Sequence, residues 1–116
     1  MPKRKYRRGE VILVPFTSSD FSGGKTRPAL IISTPAFTAC EGDYLLAAIT
    51  GQVAAHTGHP TCHELQDWQA AGLAITSVVT SHLITLSTSS MGVKAGKLSA
   101  RDMAEVKARL RQALGI

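Results

Sequence analysis

Hydrophobic positions in this 116-residue chain come mostly in short unbroken runs. Glu10-Val-Ile-Leu-Val-Pro-Phe16 and Pro28-Ala-Leu-Ile-Ile-Ser33 are two of them, both bounded by turn chemistry, and both read as strands. Between them Thr17 to Thr26 is polar and carries Gly23-Gly24, which predicts a mobile loop joining paired strands. Tyr44-Leu-Leu-Ala-Ala-Ile-Thr50, entered through Glu41-Gly42-Asp43, is a third run. Its lack of polar alternation predicts a central strand covered on both faces. A short strand is expected near Cys62 to Leu65, and the β-branched segments Ser77-Val-Val-Thr80 and Leu83-Ile-Thr-Leu86 predict two more.

Near the C-terminus the period changes. Met103, Val106, Leu110 and Leu114 recur at helical spacing, so residues 99–114 are expected to form a helix that buries these four and turns Lys107, Arg109 and Arg111 outward. Ser99 is its N-cap with Asp102 as capping-box partner, and Gly115 is its C-cap. About six short strands and one terminal helix predict a mainly β fold, a small and partly open barrel. With no repeat and no low-complexity linker, the chain reads as one domain, residues 1–116, led by a basic arm at residues 1–8.

Composition narrows the class. Hydrophobic residues make up 44% of the chain and charged residues 18%, enough apolar surface to fold, while no run of 18 apolar residues offers a membrane span. Val11 to Phe16 is too short for a secretory core. Cys40 and Cys62 fall in no C-x-x-C pair and fit reduced thiols, so a cytoplasmic location is expected. Charge is unevenly spread. Lys3, Arg4, Lys5, Arg7 and Arg8 supply five of the 13 basic residues, and the other eight are matched by eight acids, so the arm carries the whole +5 excess. That disfavours a protein that coats DNA but leaves room for a polyanion held by an arm and a few placed side chains. The plainer reading of such a run is a solvated tail.

Four places carry candidate chemistry. Lys25-Thr26-Arg27-Pro28 puts an arginine directly before a strand, where rigid backbone aims its planar fork at a phosphate or a developing oxyanion. Ile49-Thr50-Gly51-Gln52 ends a buried strand with a hydroxyl of fixed direction, and Gly51 lets a ligand approach the backbone. His56-x-x-His59-x-x-Cys62-His63 offers four potential ligands in eight residues, yet a structural zinc site draws on two separated knuckles, and the preferred reading is a polar loop without metal. His82 lies between strands and is of a type that titrates near neutrality; alone, it is more often structural than functional. Paired carboxylates at a defined spacing, a nucleophile elbow, a P-loop and a dinucleotide fingerprint are all absent from the sequence, so glycosidase, serine-hydrolase and nucleotide-triphosphatase readings lose support.

The order of the pieces says more than any one of them. Arg8-Gly9-Glu10-Val-Ile-Leu-Val, Gly23-Gly24-Lys25-Thr26-Arg27-Pro28-Ala-Leu-Ile-Ile-Ser, Ala47-Ala48-Ile49-Thr50-Gly51-Gln52 and Ser77-Val-Val together resemble the MazF/PemK family of toxin endoribonucleases, from about Arg8 to the final helix. The resemblance implies an SH3-like small β-barrel of the MazF/PemK/CcdB type with a C-terminal helix. It also implies a homodimer whose groove binds single-stranded RNA, and a toxin neutralised by a cognate antitoxin, with DNA contact through the antitoxin complex. The activity implied is sequence-selective cleavage with no metal or other cofactor. In it a 2′-hydroxyl attacks the adjacent phosphate and leaves a 2′,3′-cyclic phosphate and a 5′-hydroxyl.

Residue by residue, the resemblance makes Arg27 the catalytic arginine and Thr50 the catalytic threonine, with Lys25, Gln52, Ser77 and His82 as the RNA-binding set. A guanidinium is a poor proton carrier near neutrality, so charge stabilisation is the role expected of Arg27. One departure stands out. Where some members carry an arginine and, two residues on, an acid, this chain has Thr80 and His82, and His82 is open to proton transfer or base stacking. The rival reading is a non-catalytic SH3-like binding module, or a toxin aimed at a protein target such as gyrase.

Overall fold

The computed structural model describes residues 6–15 and 26–116. The chain runs β1 (Glu10–Pro15), β2 (Thr26–Ile31), α1 (Pro35–Glu41), β3 (Tyr44–Thr50), α2 (Val53–His56), β4 (His63–Glu64), β5 (Val78–Leu86), a 3-10 turn (Thr88–Ser90), β6 (Lys94–Lys97) and α3 (Ala100–Leu114). The six strands form one curled antiparallel sheet in the order β4-β5-β3-β2-β1-β6, a half-barrel with α3 packed against it. The mainly β fold with a C-terminal helix is thus as expected. The loop read at Thr17 to Thr26 falls, up to residue 25, outside the described residues, as do Lys3, Arg4, Lys5 and Lys25.

The unbroken apolar runs have a simple cause: β1, β2 and β3 bury both faces. Val11, Leu30, Ala47 and Ile49 belong to one core with Val79 and Val106, while Ile12, Val14, Ala29, Ile31, Tyr44 and Leu46 belong to a second core with Tyr6. Alternate residues of a strand point to opposite faces, so a strand buried on both sides has no position left for a polar residue.

Besides the single turn of α2, three elements differ from the sequence reading. α1 is a helix in a segment left unassigned, although its caps are legible: Thr34 Oγ1 accepts from the Phe37 N–H, Pro35 opens the first turn, and Gly42 closes it at φ 79°. β5 is one strand of nine residues rather than two, because Thr80, Ser81 and His82 form a bulge across which pairing resumes. β6 is an unforeseen strand, for Lys-Ala-Gly-Lys carries no hydrophobic alternation. Backbone contact recruits it instead. A Cβ at Gly96 would stand 2.3 Å from the Ala71 carbonyl oxygen, and one at Gly72 would stand 2.0 Å from that of Ala95. Only glycine admits so close an approach.

Helix α3 corrects the sequence reading in two details. Val106 is buried (1% exposed) and Met103 and Leu110 pack beside it, but Leu114 is 53% exposed and leaves the stripe, because the helix has by then run past the sheet. Ser99 Oγ accepts from the Asp102 N–H as an N-cap should, but the Asp102 carboxylate turns across the structure. Its Oδ1 accepts from His63 Nε2–H (2.8 Å) and the Gln66 N–H (3.0 Å), and its Oδ2 from the Asp67 N–H (2.8 Å). One buried carboxylate therefore ties α3 to β4 and the following turn. Burial pushes the Asp102 pKa up, but the bonds from Gln66, His63 and Asp67 outweigh it and hold the group below the usual carboxylate value. Beside it Asp67 receives the forked guanidinium of Arg101 through two bonds of 2.7 Å, and with the Ser99 hydroxyl this lowers its pKa to about 2.

Two outcomes are expected of α3. Leu110→Ala should lower stability by about 2 kcal/mol while Leu114→Ala changes it by less than about 0.5 kcal/mol, read as shifts of the denaturant midpoint. Asp102→Asn should cost about 3 kcal/mol, since the amide keeps one accepting oxygen for the three donors and sets its own N–H groups against the rest. Because the folded chain holds Asp102 and Asp67 below their ordinary values, it binds fewer protons than the unfolded chain. Their contribution to stability is complete above the ordinary carboxylate value of 3.8 and is lost as pH falls through the two lowered values, about 2 for Asp67. The acid limb of a Tm-versus-pH curve should therefore be shallower in Asp102→Asn than in the parent.

Candidate active site

Antiparallel register brings the main candidates together. Ala29 pairs with Ala48, Leu30 with Ala47 and Ile31 with Leu46 between β2 and β3, and Arg27 pairs with Val14 of β1. Carrying the β2–β3 register two residues toward the start of β2 sets Arg27 against Thr50. Arg27 shares a face with Ala29, and Thr50 shares one with Ala48, so both side chains leave the same face of the sheet. Arg27 is exposed and Thr50 half-buried. The strand holds the guanidinium stem while its fork reaches solvent.

Thr50 is held more tightly. Its Oγ1 accepts from the Gln52 N–H at 3.1 Å, which fixes the oxygen and leaves the hydroxyl hydrogen to donate outward. Gln52 is exposed at the start of α2, and its carbonyl accepts from His56 Nδ1–H. The space beside Gly51 is filled by a neighbour: a Cβ there would meet Ile75 Cδ1 at 2.5 Å. Gly51 thus accommodates the exposed Ile75, where the sequence reading expected a ligand.

On the other side of β3 lies the β5 bulge. Thr50 pairs with Val78 and Ile49 with Val79, but Ala47 pairs with Leu83, so β5 spends two extra residues over this stretch. The displaced ladder is repaired by a side chain, as Thr80 Oγ1–H donates to the Ala48 carbonyl (2.8 Å) and in turn accepts from the His82 N–H (3.2 Å). His82 is exposed beside this repair. Ser77 is buried and its hydroxyl donates to the Ile75 carbonyl, which shapes the entry to β5. The sequence reading singled out Thr80 only as a departure from a pattern. Its role as the hydrogen-bond donor for β3 depends on a bulge that no local signal announces.

The histidine-rich segment forms a separate place. His56, His59, Cys62, His63, Glu64 and Arg109 line a cleft of about 260 Å³, but among the described residues no three His, Cys, Asp or Glu side chains are set to hold a metal ion. His63 is committed to Asp102 and His56 to the Gln52 carbonyl. Among the described residues no helix is long and apolar enough to cross a membrane.

A curled antiparallel sheet backed by a C-terminal helix, with an arginine and a threonine on one sheet face, defines a small half-barrel of the MazF type. Solved structures share it. An endoribonuclease from a mycobacterial species superposes with a TM-score of 0.75 at 20% identity, covering 100% of this chain and 97% of that one. A mycobacterial endoribonuclease in complex with its cognate antitoxin gives 0.73 at 22%, with 96% of each chain covered. MazF from Deinococcus radiodurans gives 0.72 at 24%, covering 98% of this chain and 100% of that one. Among curated proteins nothing matches. Residues 7–114 match the family of PemK-like, MazF-like toxins of type II toxin-antitoxin systems, and the chain belongs to that family.

The bulge repair is open to test. Thr80→Val keeps the shape of the side chain but leaves the Ala48 carbonyl unpaired, so it should lower stability by roughly 1–3 kcal/mol, whereas Thr80→Ser should stay close to the parent. Thermal unfolding of the two variants distinguishes the hydroxyl from the methyl. Equal losses would assign the effect to packing.

Proposed function

We propose that this toxin is an endoribonuclease that cuts single-stranded RNA at selected sequences without a metal ion. The observation that carries the reading is the placement of Arg27 and Thr50 on one face at adjoining strand ends, with Thr50 Oγ1 already fixed by the Gln52 N–H. In the proposed reaction the 2′-oxygen of one nucleotide bonds to the adjacent phosphorus, and its proton passes to the surrounding water or a neighbouring base. The bond from phosphorus to the 5′-oxygen breaks, and that oxygen takes up a proton. The products are a 2′,3′-cyclic phosphate and a 5′-hydroxyl. Negative charge builds on the equatorial oxygens of the five-coordinate phosphorus. A guanidinium held by a strand and a hydroxyl with its hydrogen free lower that barrier electrostatically, because they need no reorganisation as the charge appears.

Within this reading Arg27 supplies charge, Thr50 donates a hydrogen bond, and exposed Gln52 and His82 flank the path of the RNA. Lys25 and Ser77 stay in the proposed RNA-binding set on family resemblance, Ser77 acting through the backbone turn it holds. We place the protein in the cytoplasm as a homodimer opposed by a cognate antitoxin. The solved complexes of a mycobacterial endoribonuclease with its antitoxin and of MazE with MazF from Deinococcus radiodurans support that partner class.

The test is incubation of the purified protein with a long single-stranded RNA in EDTA, followed by mapping of the fragment ends. Discrete fragments ending in cyclic phosphate are expected. Arg27→Ala should lower kcat by more than about 100-fold, a transition-state loss of about 3 kcal/mol, with an unchanged unfolding midpoint because the side chain is exposed. Intact RNA that stays bound to the parent protein would favour the non-catalytic module instead.

A further inference from the structure

At the opposite end of β2 and β3 from Arg27 and Thr50, a cleft of about 260 Å³ is walled by Tyr6, Arg7, Arg8, Thr34, Thr38 and Lys97 among others. Its chemistry is one-sided. Two guanidinium groups and an ammonium border it, and among the described residues none of the three forms an ion pair. The nearby carboxylate of Glu10 is already engaged, accepting from the Arg7 N–H at 2.8 Å and from Lys94 Nζ at 3.1 Å. Arg8 is anchored through Nε–H to the Ile32 carbonyl at 3.0 Å, so its fork has a fixed direction.

Hydroxyls complete the cradle. Thr34 Oγ1 accepts from the Phe37 N–H and keeps its own hydrogen to donate. One helical turn on, Thr38 also lines the cleft, and its Oγ1 is buried with no hydrogen-bond partner among the described residues. A buried hydroxyl without a partner costs free energy, and a bound ion is one way such a group is completed. Cationic forks together with hydroxyl donors suit a tetrahedral anion that accepts hydrogen bonds from several directions.

We propose that this cleft binds a backbone phosphate of the RNA strand, remote from the phosphate that is cut. The proposal rests on the endoribonuclease reading above and adds a second point of attachment to it. Tyr44, in the wall of the cleft, leaves the same face of β3 as Thr50. The six residue steps from Tyr44 to Thr50 span about 20 Å of strand. Leu46 and Ala29 are buried between the two places, so the RNA reaches the cleft around that core and meets it several nucleotides from the scissile bond. Such a contact orients the strand and carries no base preference.

The experiment compares the parent with Arg7→Gln/Lys97→Gln and, separately, Thr38→Val, which removes the unpartnered hydroxyl without changing charge. Binding is read by fluorescence anisotropy at several salt concentrations, in EDTA, with a single-stranded RNA of about 20 nucleotides and with one of three, poly-glutamate serving as competitor. For the long RNA both variants should weaken binding about fivefold or more, and the double variant should flatten the salt slope by about 0.7, the value for one lost phosphate contact on a single strand. Binding of the three-nucleotide RNA should be unchanged. In cleavage assays KM for the long RNA should rise with kcat and the cut positions kept. Unchanged affinity in Thr38→Val, an equal loss on the short RNA, or displacement of the long RNA by poly-glutamate from the parent but not from the variants would each overturn the proposal, the last by assigning the cleft to an acidic protein segment. If the parent binds RNA with the expected length dependence yet cleaves none, the enzymatic reading fails while the phosphate site stands.

Discussion

Everything that positions the candidate site follows from the register between β2 and β3. Both strands are buried on both faces, so sliding one against the other by a single residue would exchange the two hydrophobic cores and turn Arg27 away from Thr50. The small residues Ala29, Ala47 and Ala48 at the paired positions let the strands be covered closely. The exposed arginine lies just beyond this locked segment, where the backbone direction is already decided. The precision that transition-state stabilisation needs is thus inherited from core packing, at little conformational cost to the site itself.

A second tie keeps the sheet and its helix in one arrangement. Asp102 is buried, and a buried charge is tolerated only when its lone pairs are taken up, which His63, Gln66 and Asp67 do here. Those donors come from β4 and the turn after it, far from α3 in sequence. The Arg101 to Asp67 fork sits on the solvent side of the same junction, where screening limits its worth. The charged residues of α3 therefore divide between a buried anchor and a surface pair, and the histidine that sequence alone could assign to a metal loop is part of the anchor.

The β5 bulge shows how a departure from a family pattern can be absorbed. Thr80 departs from the pattern that the sequence resemblance implies, and its short hydroxyl is the right length to satisfy the Ala48 carbonyl left open by the two extra residues of β5. Bulges concentrate beside functional sites because they re-aim side chains. This one turns His82 out to solvent two residues before Ile84 rejoins the second core.

How much was legible depended on range. The strands at Glu10, Pro28 and Tyr44, the helix begun by Ser99 and ended at Gly115, and the arginine and threonine at strand ends follow from local pattern, because hydrophobic period and cap chemistry act between near neighbours. The caps of α1 at Thr34, Pro35 and Gly42 obey the same local rules. Other features had no local signal. β6 forms because Gly96 and Gly72 permit two backbones to meet, Leu114 is exposed because the sheet beneath the helix has ended, and Ser77 is buried by its turn. The union of Asp102 with His63, of Thr80 with Ala48, and of Arg7, Thr38 and Lys97 around one cleft joins residues 30 or more positions apart. Sequence by itself determined most of the strands, the terminal helix and the candidate side chains. Only the tertiary structure decided which of those side chains meet, since the hydrogen bonds and contacts that join them are made only after distant segments have been packed together.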